Sequence, residues 1–326
     1  MLKSEISATQ KGWTSALLLV VMSTVFLGLT SLMRTQNMTN LPPLVLMALL
    51  LFASALISIP VAWSRRAELK QLNSVDVLNI VVTSWSGPVF AIYFSMLALM
   101  PNGVPLGNLT GSVIVQKLQP VITFIFAYAM LREKPSIPHY LALFVLLLGS
   151  YLTAFGAAPV GNFVEGFNRE SLIYMSLSVV FGSLNSVTGK VATTKISPIN
   201  LAAVRSILAA ILSVLITQQL APKGTDFASM FGSISVDWWR YALIGLANFG
   251  CLTIYFYGVK KLPVTSIAIA EFGAKALAPL VIFGPLVIKP SLSSVSGFAA
   301  AILAVIIIAR TMRPETGHAS EPNEAG

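Results

Sequence analysis

Residues 43–63 read PLVLMALLLFASALISIPVAW and contain no charged side chain. A helix needs about 20 predominantly apolar residues to cross the hydrocarbon layer of a bilayer, and this run has that length. Backbone groups in lipid must be hydrogen-bonded within the protein, so the run is expected to be helical despite its β-branched residues. The segment therefore predicts a transmembrane helix.

Runs of similar length and composition recur along the whole chain. The ten predicted spans are 13–33, 43–63, 78–100, 107–131, 138–155, 171–189, 199–219, 239–259, 264–288 and 294–311. Hydrophobic residues make up 56% of the 326 residues and charged residues only 10%, against about 25% in ordinary soluble domains. The composition excludes a soluble enzyme as the leading interpretation and predicts an all-α integral membrane protein.

The net charge of +9 is explained by the sidedness of the loops. With the N-terminus in the cytoplasm, 13 of the 21 lysines and arginines fall on the cytoplasmic side, five on the opposite side and three inside spans. An excess of basic residues marks cytoplasmic loops, so both termini are predicted to be cytoplasmic in a multi-pass protein of the cell inner membrane. A nucleic-acid partner is not needed to account for the charge, and the lipid bilayer is the expected surrounding.

The ten spans divide five and five, which places the second half in the membrane upside down relative to the first. Ser112-x3-Gln116-x3-Pro120 in span four corresponds to Glu271-x3-Lys275-x3-Pro279 in span nine. Most connections are short, and only 156–170 and 220–237 are longer. The predicted units are a first five-helix repeat at 1–155, a connecting loop at 156–170, a second five-helix repeat at 171–311 and a disordered cytoplasmic tail at 312–326.

Three short motifs resemble a known family of membrane carriers. They are LQPVI at 118–122 through REKPS at 132–136, LLG at 147–149, and NLAAVR at 200–205. They resemble the fourth, fifth and seventh spans of ten-span EamA-type carriers of the drug/metabolite transporter superfamily. The resemblance implies an inverted-repeat bundle with a central cavity, lined by the first, third and fourth spans of each half, with the fifth and tenth spans buttressing or pairing it.

Four charged residues lie away from the ends of the spans, where each costs at least about 2.5–3.5 kcal/mol on insertion scales. Lys117 is interpreted as a cation for an anionic substrate group, the alternative being a contact with a carbonyl freed by Pro120. Glu271 and Lys275 have the favourable i,i+4 order for an ion pair. In the functional interpretation Glu271 is a coupling group for a proton and Lys275 contacts substrate. Arg205 is expected to have a structural, anchoring role because its stem can reach the cytoplasmic interface.

The remaining candidates are uncharged polar and aromatic side chains that suit a small organic ligand. Helix–helix packing is the alternative role for each. The candidate substrate-binding residues of this kind are Ser112, Gln116 and Gln119 in span four, Trp85 in span three, Asn185 in span six, and Asn248 and Tyr255 in span eight. Pro120 and Pro279 are the predicted structural residues, since a proline inside a helix causes a kink.

No arrangement of catalytic, metal-binding or cofactor-binding residues is visible in the sequence. His139 and His318 are far apart and the single cysteine, Cys251, lies in an apolar run, so no catalytic group, metal site or cofactor is predicted. No nucleotide-binding loop supports ATP-driven transport, and the protein is not expected to be an enzyme.

The leading functional hypothesis is a secondary transporter that exports a small polar organic metabolite, amino-acid-like or an organic anion, by alternating access. Three cations against one acid within the spans favour a substrate with an anionic group. The alternatives are proton-coupled efflux of cationic drugs through Glu271, and a membrane protein or regulator that does not transport. The sequence does not indicate an oligomeric state.

Overall fold

The computed structural model describes residues 12–27, 43–99, 115–155, 169–220, 227–283 and 292–311. Within these ranges all regular secondary structure is helical, which confirms the predicted all-α fold class. The helices in chain order are α1 (Gly12–Leu27), α2 (Pro43–Ser64), α3 (Arg66–Leu69), α4 (Ser74–Trp85), a π-helical turn (Ser86–Ala91), α5 (Ile92–Leu99), α6 (Gln119–Leu131), α7 (Ile137–Phe155), α8 (Arg169–Lys195), α9 (Pro198–Leu220), α10 (Phe227–Lys261), α11 (Val264–Phe283) and α12 (Leu292–Thr311).

Each of the ten predicted spans contains one or more of these helices. By length and composition alone, five segments can cross a membrane: Leu44–Ser64, Ser74–Ala98, Arg169–Lys195, Pro198–Leu220 and Trp238–Lys261. Four shorter segments are also apolar: Gly12–Leu27, Val115–Leu131, Ile137–Leu152 and Val295–Thr311. The expected connection at 220–237 is wrong in its second part, because α10 already begins at Phe227. Residues 227–237 contain no proline that would end a helix.

The third span changes its helical register at membrane depth. A capping box starts α4, in which the Asn73 side chain accepts a bond from the Asp76 amide. Residues Ser86–Ala91 then form a π-helical turn that contains Gly87 and Pro88 before α5 continues. Proline has no amide hydrogen to donate, so the widened turn is a natural response to Pro88. This turn brings the backbone of Gly87 close to two polar side chains described below.

The bundle has the packing expected of two repeats related by a pseudo-two-fold axis. α7 packs along α12 and α2 packs along α9, so the fifth span pairs with the tenth and the second with the seventh. The contact of α2 with α10 is likewise matched by the contact of α9 with α4. The fifth–tenth pair expected for an EamA-type bundle is therefore present.

Short connections at 65–73, 132–136, 196–197 and 262–263 lie at one end of the bundle, which we call the capped end. The largest buried apolar cluster joins α1, α7, α9, α10, α11 and α12. Its large side chains that are less than 2% exposed are Val20, Leu146, Leu201, Phe256, Leu262, Ile267, Ile269 and Ile308. Burial of this apolar surface between helices from both repeats holds the repeats together.

Candidate functional site

A cavity of about 450 Å³ lies between the two repeats. It is lined by the end of α1, by α2, the third span and the start of the fourth span, and by α8, α9, α10 and α11. Seven of the candidate residues face it: Gln116, Gln119, Asn185, Arg205, Asn248, Glu271 and Lys275. Small and apolar residues of the third span complete the wall. This combination of apolar surface and a few polar groups is typical of a site for a small organic molecule.

Glu271 and Lys275 form an ion pair and also face the cavity, so their pairing does not remove them from it. Nζ of Lys275 lies 2.7 Å from Oε1 of Glu271, and the Tyr255 hydroxyl donates to Oε2 at 3.2 Å. The side chain of Lys275 is 41% exposed and that of Glu271 is 16% exposed. Both carboxylate oxygens of Glu271 are thus engaged, while Lys275 has donors left for a ligand.

Lys117 lies close to this pair without lining the cavity itself. Its ammonium lies 5.7 Å from the centre of the Phe272 ring, and Lys275 lies 5.4 Å from the centre of the same ring. A ring face attracts a cation electrostatically, and two cations against one ring concentrate positive charge beside the cavity. Spans four and nine, which the sequence matched to each other, therefore meet here.

Arg205 was expected to anchor α9 at the interface, but its side chain is only 8% exposed and lines the cavity. The guanidinium lies 5.5 Å from the centre of the Phe256 ring, and its Nε atom is buried without a hydrogen-bond partner. Among the described residues, no carboxylate forms an ion pair with it. A buried guanidinium without a direct ion pair is a costly arrangement to keep.

Asn185 lies beside Arg205, against the π-helical turn of the third span. A β-carbon built on Gly87 would lie 2.6 Å from Oδ1 of Asn185 and 2.9 Å from Nη2 of Arg205. Oδ1 of Asn185 is buried and has no hydrogen-bond partner. The absence of a side chain at Gly87 is therefore what allows the two polar groups to converge.

Gln119 and Asn248 also reach the cavity, each held by a neighbouring helix. The Gln119 side chain packs on Gly182, where a β-carbon would lie 3.0 Å from its Nε2 atom. The hydroxyl of Ser183 donates to the backbone carbonyl of Gln119 at 3.1 Å. Asn248 donates through Nδ2 to Oγ of Ser54 at 3.1 Å, which links α10 to α2.

Besides Lys117, three of the predicted residues that the structure describes do not line the cavity: Trp85, Tyr255 and Pro120. Trp85 donates through its indole nitrogen to the Leu208 carbonyl at 3.3 Å and so joins the third span to α9. Tyr255 contacts the cavity only indirectly, through the hydrogen bond that its hydroxyl donates to Glu271. Pro120 is buried in the first turn of α6, where a missing amide hydrogen costs little. Ser112 lies outside the described residues, and Pro279 lies within α11, with its side chain outside them.

Ser178 and Gly182 also line the cavity, although they were not among the residues predicted from the sequence. They precede Asn185 by seven and three residues, and positions i, i+4 and i+7 of a helix share one face. The Ser178 hydroxyl donates to the Ala91 carbonyl at 2.7 Å and fixes the end of the π-helical turn. Helical spacing from Asn185 was the signal that could have identified both.

Two glutamates of the first half cap helices of the second half at the capped end. Glu133 accepts hydrogen bonds from the amides of Val264 and Thr265, at 2.9 and 3.2 Å, at the start of α11. Glu68 accepts from the Ser197 amide at 2.8 Å, just before α9, and from the Ser197 hydroxyl at 2.9 Å. A carboxylate at a helix N-terminus satisfies free amides and complements the helix dipole.

The local backbone and the bond network explain how these glutamates are held. Arg132 ends α6 with φ of 56°, in the left-handed region, and the chain then turns so that Glu133 faces α11. Burial raises the pKa of Glu68, but hydrogen bonds from Ser197, Asn200 and Arg65 outweigh it and lower the pKa below its usual 4.5. An ion pair at 3.4 Å between Asp76 and Lys195 joins the same two halves.

Within the described ranges, no group of three or more histidine, cysteine, aspartate or glutamate side chains could hold a metal ion. The polar groups of the cavity instead offer hydrogen bonds and positive charge. They are suited to binding an organic solute.

Comparison with known proteins agrees with this architecture. The EamA-like transporter family matches the chain twice, at residues 14–155 and 170–310. A solved crystal structure aligns with a TM-score of 0.69 over 90% of this chain and 96% of its own, at 19% identity, which supports the fold alone. No curated protein matches the chain. Because the family match covers both halves, the chain is a multi-pass membrane transporter and belongs to the EamA-like transporter family.

Proposed function

We propose that the chain is a secondary transporter that exports a small polar organic metabolite, amino-acid-like or an organic anion, across the inner membrane. The observation that carries the proposal is the charge of the cavity between the repeats. Arg205 and Lys275 line it, Lys117 lies beside it, and Glu271 is the single carboxylate among its described lining residues. The excess of positive charge favours a substrate with an anionic group.

The closure of the capped end supports alternating access as the mechanism of transport. Contacts of Glu68 with Ser197 and of Glu133 with α11 join the two halves there, and the cavity lies farther along the bundle. In this proposal, substrate reaches the cytoplasm only after these contacts separate, while the opposite end closes. Such rocking of one repeat against the other is the usual mechanism of inverted-repeat carriers.

Glu271 is the proposed coupling group. Its carboxylate holds Lys275 at 2.7 Å, and protonation would remove the charge that holds the lysine there. Lys275 would then be free to contact an anionic ligand, which links proton binding to substrate binding. A vesicle assay with an imposed pH gradient tests this step, and a rate that ignores both the gradient and Glu271→Gln would contradict it.

Export of cationic drugs is the second candidate, since the Glu271 carboxylate lies at the cavity. Both of its oxygens already accept hydrogen bonds, from Lys275 and Tyr255, so it is poorly placed to hold a cationic drug. The proposed orientation, with both termini in the cytoplasm, is tested separately. Reporter fusions at residues 190–195 should report a cytoplasmic location.

The decisive experiment combines a ligand screen with matched variants. Purified protein is first screened by thermal shift against amino acids, organic acids, sugar phosphates and cationic drugs. Transport of the best ligand is then measured in liposomes for Lys117→Gln and Lys275→Gln, with the exposed Lys261→Gln as the charge-matched control. We expect both cavity variants to lose most of the transport rate. Wild-type rates in both, at equal reconstitution, would refute the anion site.

A further inference from the structure

We infer that Arg205 and Asn185 form a subsite for a carboxylate that carries a hydroxyl group on the adjacent carbon. The inference rests on the proposed function, because it names the substrate class for the same cavity. It starts from two buried polar atoms with no partner in the protein, Nε of Arg205 and Oδ1 of Asn185. One can only donate a hydrogen bond and the other can only accept one.

The two groups are neighbours because of Gly87. The point where a β-carbon of Gly87 would stand lies 2.6 Å from the Asn185 oxygen and 2.9 Å from Nη2 of Arg205. Both side chains also line the cavity. A ligand in the cavity therefore lies against both side chains.

Burial makes the lack of partners significant. Arg205 is 8% exposed, and its Phe256 contact is an aromatic face rather than a counterion. An unpaired buried donor or acceptor costs roughly 1–3 kcal/mol, and more for a charged group. A ligand that supplies the missing partners recovers this cost on binding, and such pairing gives strong discrimination against analogues that lack the group.

The chemistry of the missing partners defines the head group. Arg205 requires an anionic acceptor, and a planar carboxylate matches its paired donors. Asn185 requires a donor next to that carboxylate, which a substituent on the adjacent carbon provides. A hydroxyl fits better than an ammonium here, since Arg205 and Lys275 would repel a second cation.

A matched ligand series tests the subsite. Succinate, malate and aspartate share one carbon skeleton and differ in having hydrogen, hydroxyl or ammonium on the carbon beside one carboxylate. Binding is measured by calorimetry and by transport competition on the purified full-length protein. We expect malate to bind roughly tenfold more tightly than succinate, the value of about one hydrogen bond, and more tightly than aspartate.

Variants of Asn185 and Arg205 test recognition of the hydroxyl group and of the carboxylate separately. Asn185→Ala should reduce the malate-to-succinate ratio to about one. Arg205→Lys, which keeps the charge and loses Nε, should weaken all three ligands, whereas the exposed Arg310→Lys should not. Asn185→Asp should shift the preference towards aspartate, because it adds a negative charge beside the ammonium.

Several outcomes overturn the inference. These are equal wild-type binding of malate and succinate, a malate preference that survives Asn185→Ala, and no binding of any of the three. The proposed function fails separately, when no anionic ligand in the wider screen is transported. Transport of an anion without a malate preference would thus reject the subsite and leave the transporter proposal standing.

Discussion

Two glycines of α10 face different surroundings and make a matched pair. A β-carbon at Gly258 would lie 2.7 Å from the carbonyl oxygen of Ala16 and 2.6 Å from a methyl group of Val20, whereas one at Gly250 would meet nothing within 4 Å. The Ala16 oxygen belongs to the backbone of α1, and Val20 is fully buried. Gly258→Ala therefore forces α1 and α10 apart, and Gly250→Ala does not.

The expected magnitudes follow from two opposing terms. Alanine is better than glycine inside a helix by about 1 kcal/mol, and this gain is common to both variants. Overpacking a close contact costs about 1–3 kcal/mol and applies only at Gly258. We predict that Gly250→Ala raises the free energy of unfolding slightly. The free energy of unfolding of Gly258→Ala should be lower than that of Gly250→Ala by about 1–3 kcal/mol.

The purified protein is unfolded in mixed micelles by increasing the fraction of denaturing detergent. Tryptophan fluorescence monitors the unfolding. Because both substitutions lie in one helix and add one methyl group, effects of the detergent on helix propensity cancel in the comparison. Equal stability of the two variants, or greater stability of Gly258→Ala, would show that α1 and α10 do not approach as closely as described.

Three further perturbations test the contacts within and between the repeats. Glu133→Ala should lower stability by about 1 kcal/mol, as loss of a helix cap does, and chemical unfolding measures it. Glu68→Gln should lower stability at neutral pH. Because folding lowers the pKa of Glu68 below 4.5, this difference should fade as the pH falls through that lowered pKa, and an unchanged difference at pH 3.5 would contradict the cap. A double-mutant cycle measures the ion pair of Glu271 and Lys275 from the stabilities of Glu271→Gln, Lys275→Met and the double variant. The coupling energy should be about 1 kcal/mol, as expected for a partly exposed pair, and a value of zero would contradict the ion pair.

The sequence predicted the helices well because insertion in lipid depends on local composition. Each apolar run contains a helix, and the scarcity of charges within the spans drew attention to Glu271, Lys275 and Arg205, which all line the cavity. The helical start at Phe227 was missed because weakly polar residues give no clear membrane signal.

The parts that could not be predicted depend on distant residues. Glu68 and Glu133 look like ordinary loop charges in the sequence, and only the fold brings them to the ends of α9 and α11. The anchoring role expected for Arg205 assumed that its stem reaches the interface. The fold instead turns this face of α9 towards the centre of the bundle, where Asn185 and Gly87 meet it.

The two caps at the capped end make the repeats unequal partners. Both Glu68 and Glu133 come from the first repeat, and both bond to helices of the second. In the proposed alternating-access cycle, two caps of about 1 kcal/mol each would weight the population towards the state closed at this end by roughly thirtyfold. A solute that arrives from that end would have to offset this bias with its own binding energy, whereas one that arrives from the opposite end would not. The kinetics of a half-cycle should therefore depend on the direction in which it runs, even though the two halves of the bundle are built alike.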